Sequence, residues 1–134
     1  MKLLRGTIFG ACAFFILGWL FWGILLMDFS ANNYNTDVYL PDNEMIWWAL
    51  ILSNLVFALL QTLFLKWGQA KTWTDGVKIG ALFGVLYALT TDLGIYSMTN
   101  ILLNVWAIVV DALAYAVITG ITGIIIVLTW GKGE

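Results

Sequence analysis

The sequence contains no histidine, one cysteine and one proline in 134 residues, and only 10% of its residues are charged. Without histidine, the commonest ligand of zinc and the usual axial ligand of haem are missing, so we expect neither a zinc site nor a haem site. The single Cys12 allows no disulfide within the chain and no C-x-x-C redox pair. Pro41 lies outside the long apolar stretches, so we expect no apolar helix to break at a proline.

The sequence is rich in apolar residues. Hydrophobic residues make up 62% of the sequence and the mean hydropathy is +0.93, whereas soluble domains are about half apolar and about a quarter charged. The composition therefore predicts an integral membrane protein. The sequence has no phosphate-binding loop, no G-x-S-x-G or H-E-x-x-H motif and no basic patch. We therefore expect no enzymatic activity, no metal site and no nucleic-acid partner.

Four apolar stretches are long enough to cross the roughly 30 Å hydrocarbon core of a bilayer, which takes about 20 helical residues. A helix satisfies its backbone hydrogen bonds within the segment, so helices are expected rather than strands. The predicted fold is all-α, a four-span transmembrane helix bundle built from two helical hairpins in a single membrane domain, residues 1–134. The predicted spans cover residues 7–27, 45–65, 76–98 and 102–130, with loops at 28–44 and 66–75.

All basic residues fall on one side of this layout. They are Lys2, Arg5, Lys66, Lys71, Lys78 and Lys132. The loop 28–44 on the other side has four acids and no base. By the positive-inside rule, both termini and the loop 66–75 are cytoplasmic, and the loop 28–44 is outside. We expect the chain to lie in the lipid bilayer of a prokaryotic cytoplasmic (inner) membrane.

The third span carries small residues at four-residue spacing. These are Gly76, Gly80, Gly84 and Ala88. Small residues in this register lie on one helix face and let another helix approach closely, which drives association where lipid offers no hydrophobic force. We interpret them as helix-packing positions within the bundle, with the seam of a homodimer as the alternative. A homo-oligomer and a larger membrane complex both stay open as partners.

Two acids, Asp92 and Asp111, lie inside the third and fourth spans, far in sequence from any base. At 1.5 Å per residue, Asp92 is roughly 8–10 Å and Asp111 roughly 12–14 Å below the outer boundary. Asn54 on the second span reaches a similar depth, roughly 13–14 Å. The three side chains therefore form one polar layer in the outer half of the predicted bundle.

Helical spacing adds neighbours to each acid. Tyr96 follows Asp92 by four residues and Tyr115 follows Asp111 by four residues, so each hydroxyl is expected on the face of its aspartate. Asn104, near the start of the fourth span, is a further candidate for the layer. Asp92, Asp111 and these polar neighbours are the predicted proton-binding or cation-binding residues.

The cost of burying the acids constrains their state. An ionised aspartate at the centre of a membrane helix costs about 2.5–3.5 kcal/mol on insertion scales. Neutralising it at pH 7 costs about 4 kcal/mol. Because the two costs are comparable, we expect that at least one of Asp92 and Asp111 is protonated, or that a bound cation or a partner's basic residue compensates the charge.

Three interpretations of the acids follow. The first is a small non-enzymatic membrane protein that binds a proton or a cation at Asp92 and Asp111. The second is that the acids are neutral, hydrogen-bonded groups that hold the helices in register. The third is docking to a partner subunit, with the chain as an accessory or structural subunit of a larger membrane complex that packs through its helices. The sequence alone leaves all three open.

The last two spans also carry a resemblance. The segments G-A-L-F-G-V-L, T-T-D-L, V-D-A-L-A-Y and G-I-I-I-V-L-T-W occur in this order between residues 76 and 131. The order of these segments resembles that in small four-helix prokaryotic integral membrane protein families of unknown function. The resemblance implies a four-helix membrane fold and carries over no functional residue.

Overall fold

The computed structural model of the protein describes residues 2–33, 45–99 and 101–130. It has four long apolar helices, and the described residues contain no strand, so the prediction of an all-α four-helix bundle is confirmed. The helices are α1 (Lys2–Leu20), α2 (Met27–Asn33), α3 (Trp47–Trp67), α4 (Trp73–Met98) and α5 (Val105–Thr129), and a π-helical segment (Phe21–Leu25) follows α1.

Four segments are long and apolar enough to cross a membrane, which by length and composition makes the chain an integral membrane protein. They are Leu3–Leu25, Trp47–Trp67, Trp73–Met98 and Val105–Thr129. Their ends lie within about four residues of the predicted ones, and local hydrogen bonds explain two of the differences. The third segment begins earlier because Thr72 and Asp75 form a capping box there. The fourth begins later because Asn104 is the N-cap of α5.

The predicted loop 28–44 contains a helix that the sequence did not indicate. The short α2 begins at Met27 and ends at Asn33, and the carbonyl oxygen of Asn33 accepts a 2.9 Å hydrogen bond from the N–H of Leu103. This bond holds the end of α2 against the start of α5. Residues 34–44 of the loop lie outside the described part of the chain, as does Lys132 of the predicted cytoplasmic C-terminus.

The long helices pack in the spatial order α4, α5, α1 and α3. Helix α4 runs along α5 over most of its length, while α1 packs against both α3 and α5. At the end that carries Arg5 and Lys66, which we call the basic end, an apolar cluster fills the space between the helices. It consists of Leu65, Ala70, Ile126, Val127 and Trp130. At the opposite, acidic end, where Asp28 lies, Leu102, Ala107 and Ile108 form a second cluster. The polar and aromatic side chains of the candidate functional site lie between the two clusters.

Candidate functional site

The seam between α4 and α5 is formed by the small residues of α4. A Cβ on Gly76 would lie 2.6 Å from the carbonyl oxygen of Gly123, and one on Gly84 would lie 2.6 Å from the carbonyl oxygen of Tyr115. Real Cβ atoms do not approach other atoms so closely. Ala88 continues the seam and is fully buried. The two helix backbones are therefore in direct contact, which is the arrangement that small residues permit in membrane bundles.

The seam ends in the two aspartates. Asp92 follows Ala88 by four residues on α4, and Asp111 precedes Tyr115 by four residues on α5. Each aspartate is only 7% exposed, and their carboxyl groups lie in hydrogen-bonding contact with each other. The four-residue register that brings the helix backbones together thus also brings the two carboxyls face to face.

Basic residues are far in sequence from this carboxyl pair. No lysine, arginine or histidine occurs between residues 79 and 131. Arg5 lies at the basic end, where its guanidinium donates a 3.4 Å hydrogen bond to the carbonyl oxygen of Thr129. Within the described residues, the Oδ2 atom of Asp92 is buried without a hydrogen-bond partner. A buried polar atom of this kind calls for a water molecule, a proton or an ion.

A layer of aromatic rings lies next to the carboxyl pair on the side of the basic end. Each long helix contributes a ring: Phe14 from α1, Phe57 from α3, Tyr87 from α4 and Tyr115 from α5. Phe83 of α4 also contacts Phe57, with ring centroids 5.3 Å apart. The ring centroids are 4.4 Å apart for Phe14 and Phe57, 4.9 Å for Phe57 and Tyr87, and 5.5 Å for Tyr87 and Tyr115. These separations are within the range of favourable aromatic contacts.

Tyr115 lies within electrostatic reach of both Asp111 and Asp92, so the layer connects the carboxyl pair to the other two helices.

A cavity of about 660 Å³ opens on the acidic-end side of this aromatic layer, toward α1 and α3. Its walls come mainly from α1 and α3 and include the indole rings of Trp19, Trp22 and Trp47 and the polar side chains of Ser53 and Asn54.

Tyr87 and Tyr115 belong both to the cavity lining and to the aromatic layer. Trp22 stands in the π-helical segment, and π-helical turns within helices are frequent at functional sites.

The structure brings together three of the predicted site residues, Asp92, Asp111 and Tyr115. Asn54 lies on the cavity wall, where its Nδ2 donates a 2.8 Å hydrogen bond to the carbonyl oxygen of Leu50. Tyr96 is 41% exposed on the outside of α4.

Asn104 is occupied in capping. Its Oδ1 accepts a 3.1 Å hydrogen bond from the N–H of Ala107, and its Nδ2 donates to Oδ1 of Asn33. Asn104 therefore joins α2 to the first turn of α5.

Sequence reasoning missed the phenylalanines of the aromatic layer and Tyr87. Tyr87 lies three residues after Gly84, so it flanks the seam, and this spacing could have identified it. Phe14 and Phe57 left no comparable signal. In a membrane protein both the lipid face and the buried face of a helix are apolar, so hydrophobic periodicity does not distinguish them.

No protein family, curated protein or solved structure matches this chain. The comparisons therefore assign no role to any residue of the site.

Proposed function

We propose that the chain is a small non-enzymatic membrane protein whose Asp92–Asp111 pair holds one exchangeable proton inside the bilayer. The observation that carries the proposal is the direct contact of the two buried carboxyl groups. Two carboxylates cannot donate a hydrogen bond to each other, whereas a carboxylic acid and a carboxylate can. A single shared proton therefore accounts for the contact and removes one of the two buried charges.

The energetics support a shared proton over two ionised acids. Two like charges in contact repel one another, and in a buried site this repulsion is stronger than in water. Protonating one carboxyl replaces the repulsion by a charge-assisted hydrogen bond, which is stronger than a neutral one. The proton then belongs to the pair rather than to either residue. A shared proton is also one way to satisfy the Oδ2 of Asp92, which is buried without a hydrogen-bond partner among the described residues.

The ligand set favours a proton over a metal cation. Hard cations such as Ca²⁺ and Mg²⁺ take about six or more oxygen ligands. Among the residues that the structure describes, no group of three or more acidic, cysteine or histidine side chains lies together. Two carboxyl groups that contact each other leave little space for an ion between them.

The proposed orientation of the chain sets the depth of the carboxyl pair in the membrane. With the basic end in the cytoplasm, as the positive-inside rule requires, the carboxyl pair lies in the outer half of the membrane. A proton from the outside would then reach the pair before it reached the small-residue part of the seam. A prokaryotic cytoplasmic membrane, across which a proton gradient can exist, is the setting we propose.

Infrared difference spectroscopy tests the proposal. Purified protein in lipid nanodiscs is titrated between acidic and alkaline pH, and the C=O stretch of a protonated carboxylic acid is followed. We expect a band from a buried acid that disappears in Asp92→Asn and in Asp111→Asn, because either change removes one partner of the shared proton. Asp28→Asn is the matched control, since Asp28 is exposed at the acidic end.

Two results would contradict the proposal. The first is a spectrum with no buried-acid band in the wild-type protein at any pH. The second is a band that survives in both Asp→Asn variants. Sodium, potassium and calcium are added separately at fixed pH, and displacement of the band by one of them would make a cation the bound species instead. Because the protein is purified alone, a band seen here also shows that the site needs no partner subunit.

A further inference from the structure

The cavity beside the aromatic layer has the properties of a ligand-binding site. Its volume of about 660 Å³ lies within the range of roughly 300–1,000 Å³ that is typical of small-molecule sites. Most of its lining is aromatic, and a few polar groups stand among the rings. Such a site selects ligands that are largely apolar and carry a small number of polar or charged atoms.

The polar side chains on the α3 wall of the cavity keep oxygen acceptors for a ligand. The Ser53 hydroxyl donates a 2.8 Å hydrogen bond to the carbonyl oxygen of Leu50, and the Asn54 amide donates a 2.8 Å hydrogen bond to the same oxygen. The Ser53 hydroxyl is then engaged as a donor and the Asn54 amide keeps one of its two N–H donors, while both side chains keep an oxygen with free lone pairs. Oxygen lone pairs favour a cation or a hydrogen-bond donor and disfavour an anion.

The aromatic walls favour the same sign of charge. The faces of indole and phenol rings carry negative potential and attract cations, with tryptophan the strongest. Trp19, Trp22 and Trp47 line the cavity. The lining residue Tyr115 interacts electrostatically with Asp111 and Asp92. A carboxyl pair that shares one proton keeps one negative charge, and this charge acts through a medium that screens it less than water does.

We propose that this cavity binds a lipophilic organic cation, a molecule with an apolar body and a delocalised or quaternary positive charge. The inference rests on the proposed function, because the attracting charge is the one that the carboxyl pair retains after it has bound its proton. The apolar body would lie against the rings of α1 and α3, and the charge would lie toward Tyr87, Tyr115 and the aspartates.

Gly18 allows the cavity to be filled without disturbing the bundle. It lines the cavity, and a Cβ built on it has no atom within 4 Å. A leucine at this position therefore projects into open space and should not clash with a neighbouring helix. Gly94 is the matched control, because a Cβ there also has nothing within 4 Å and Gly94 is not among the lining residues.

The experiment compares two probes of the same shape and opposite charge, tetraphenylphosphonium and tetraphenylborate. Saturable binding to the protein in nanodiscs is measured by equilibrium dialysis, with protein-free nanodiscs of the same lipid as the background for partition into lipid. We expect tetraphenylphosphonium to bind roughly tenfold more tightly than tetraphenylborate. Gly18→Leu should abolish this binding, and Gly94→Leu should leave it unchanged. Ser53→Leu, on the α3 wall, is a second filling variant and should weaken binding in the same direction.

The double variant Asp92→Asn with Asp111→Asn separates charge from shape. It should keep the apolar contacts and lose most of the preference for the positive probe. Equal binding of the two probes by the wild-type protein would overturn the proposal and make the cavity a groove for lipid. Absence of saturable binding, or binding that survives both filling variants, would overturn it as well.

The infrared titration uses the protein without either probe, so its result is independent of the binding measurements. A buried-acid band without cation binding would remove only the cavity inference. Charge-selective binding without the band would remove the shared proton and leave the cavity as a site for cations that two ionised carboxyls attract.

Discussion

Gly80 of α4 lies directly against the carbonyl oxygen of Thr119 in α5, so closely that a Cβ on the glycine would overlap this oxygen. The contact is repeated one turn away on each side, where Gly76 meets Gly123 and Gly84 meets Thr119 and Tyr115. The neighbouring atoms at these contacts include backbone, which cannot turn aside as a flexible side chain can. The position of α4 on α5, and with it the contact of Asp92 and Asp111, therefore depends on these three glycines.

The seam glycines should not tolerate a larger residue. Gly80→Leu and Gly84→Leu are each expected to lower the free energy of unfolding by at least about 1–3 kcal/mol, because the added side chain forces the helices apart. The measurement is thermal or denaturant-induced unfolding in detergent, followed by circular dichroism. Gly94→Leu is the control and should change stability little, since its Cβ meets open space. Equal tolerance at all three positions would mean that the helices do not meet along this face.

Gln61 is a buried residue whose replacement by an apolar residue should be harmless. It is fully buried, its Nε2 donates a 2.7 Å hydrogen bond to the carbonyl oxygen of Thr119, and its Oε1 has no partner among the described residues. Gln61→Met loses a hydrogen bond worth about 1 kcal/mol and removes an unsatisfied oxygen that costs about 1–3 kcal/mol. We therefore expect unchanged or increased stability.

The comparison for Gln61 is Gln61→Ala, which removes the same groups and leaves a cavity. Cavities left by truncating large buried side chains cost about 2–5 kcal/mol, so Gln61→Ala should unfold at a clearly lower temperature than Gln61→Met. If the two variants lose equal stability, Oε1 has a partner such as an internal water molecule, and the polar interaction outweighs the packing.

Asn104 makes two interactions that different substitutions can separate. Asn104→Ala removes both the cap of α5 and the bond to Asn33, and we expect a loss of about 1–2 kcal/mol. Asn104→Asp keeps an oxygen for the Ala107 N–H and removes the donor to Asn33. It should lose less stability than alanine while loosening α2, which amide hydrogen exchange of residues 27–33 would detect. Equal losses would show that the bond to Asn33, rather than the cap, is the stabilising one.

The orientation can be tested with single cysteines in a Cys12→Ala background. Thr36→Cys, in the loop 28–44, should react with a membrane-impermeant maleimide in intact cells. Thr74→Cys, at the basic end, should react only after permeabilisation, because the positive-inside rule predicts a cytoplasmic position for the lysines and arginines of this end. The opposite pattern of labelling would reverse the orientation and put the carboxyl pair in the inner half of the membrane.

The sequence by itself determined the class of the protein and its helices. Long apolar stretches with basic residues only near their ends permit one kind of structure in lipid, so the four spans could be placed to within a few residues. The four-residue spacing of Gly76, Gly80 and Gly84 identified the packing face of α4, because only small residues allow backbones to touch. Asp92 continues the same spacing through Ala88, so its burial could also be expected.

Only the tertiary structure decided which side chains meet. Asp111 faces Asp92 because α4 and α5 run along each other in one particular register, and no pattern within either helix specifies that register. The aromatic layer and the cavity also depend on how four helices are arranged around one another. Both the inner and the outer faces of these helices are apolar, so the sequence cannot show which of Phe14, Phe57 or Tyr96 turns inward. That choice follows from the close packing of whole surfaces, which exists only once the bundle has formed.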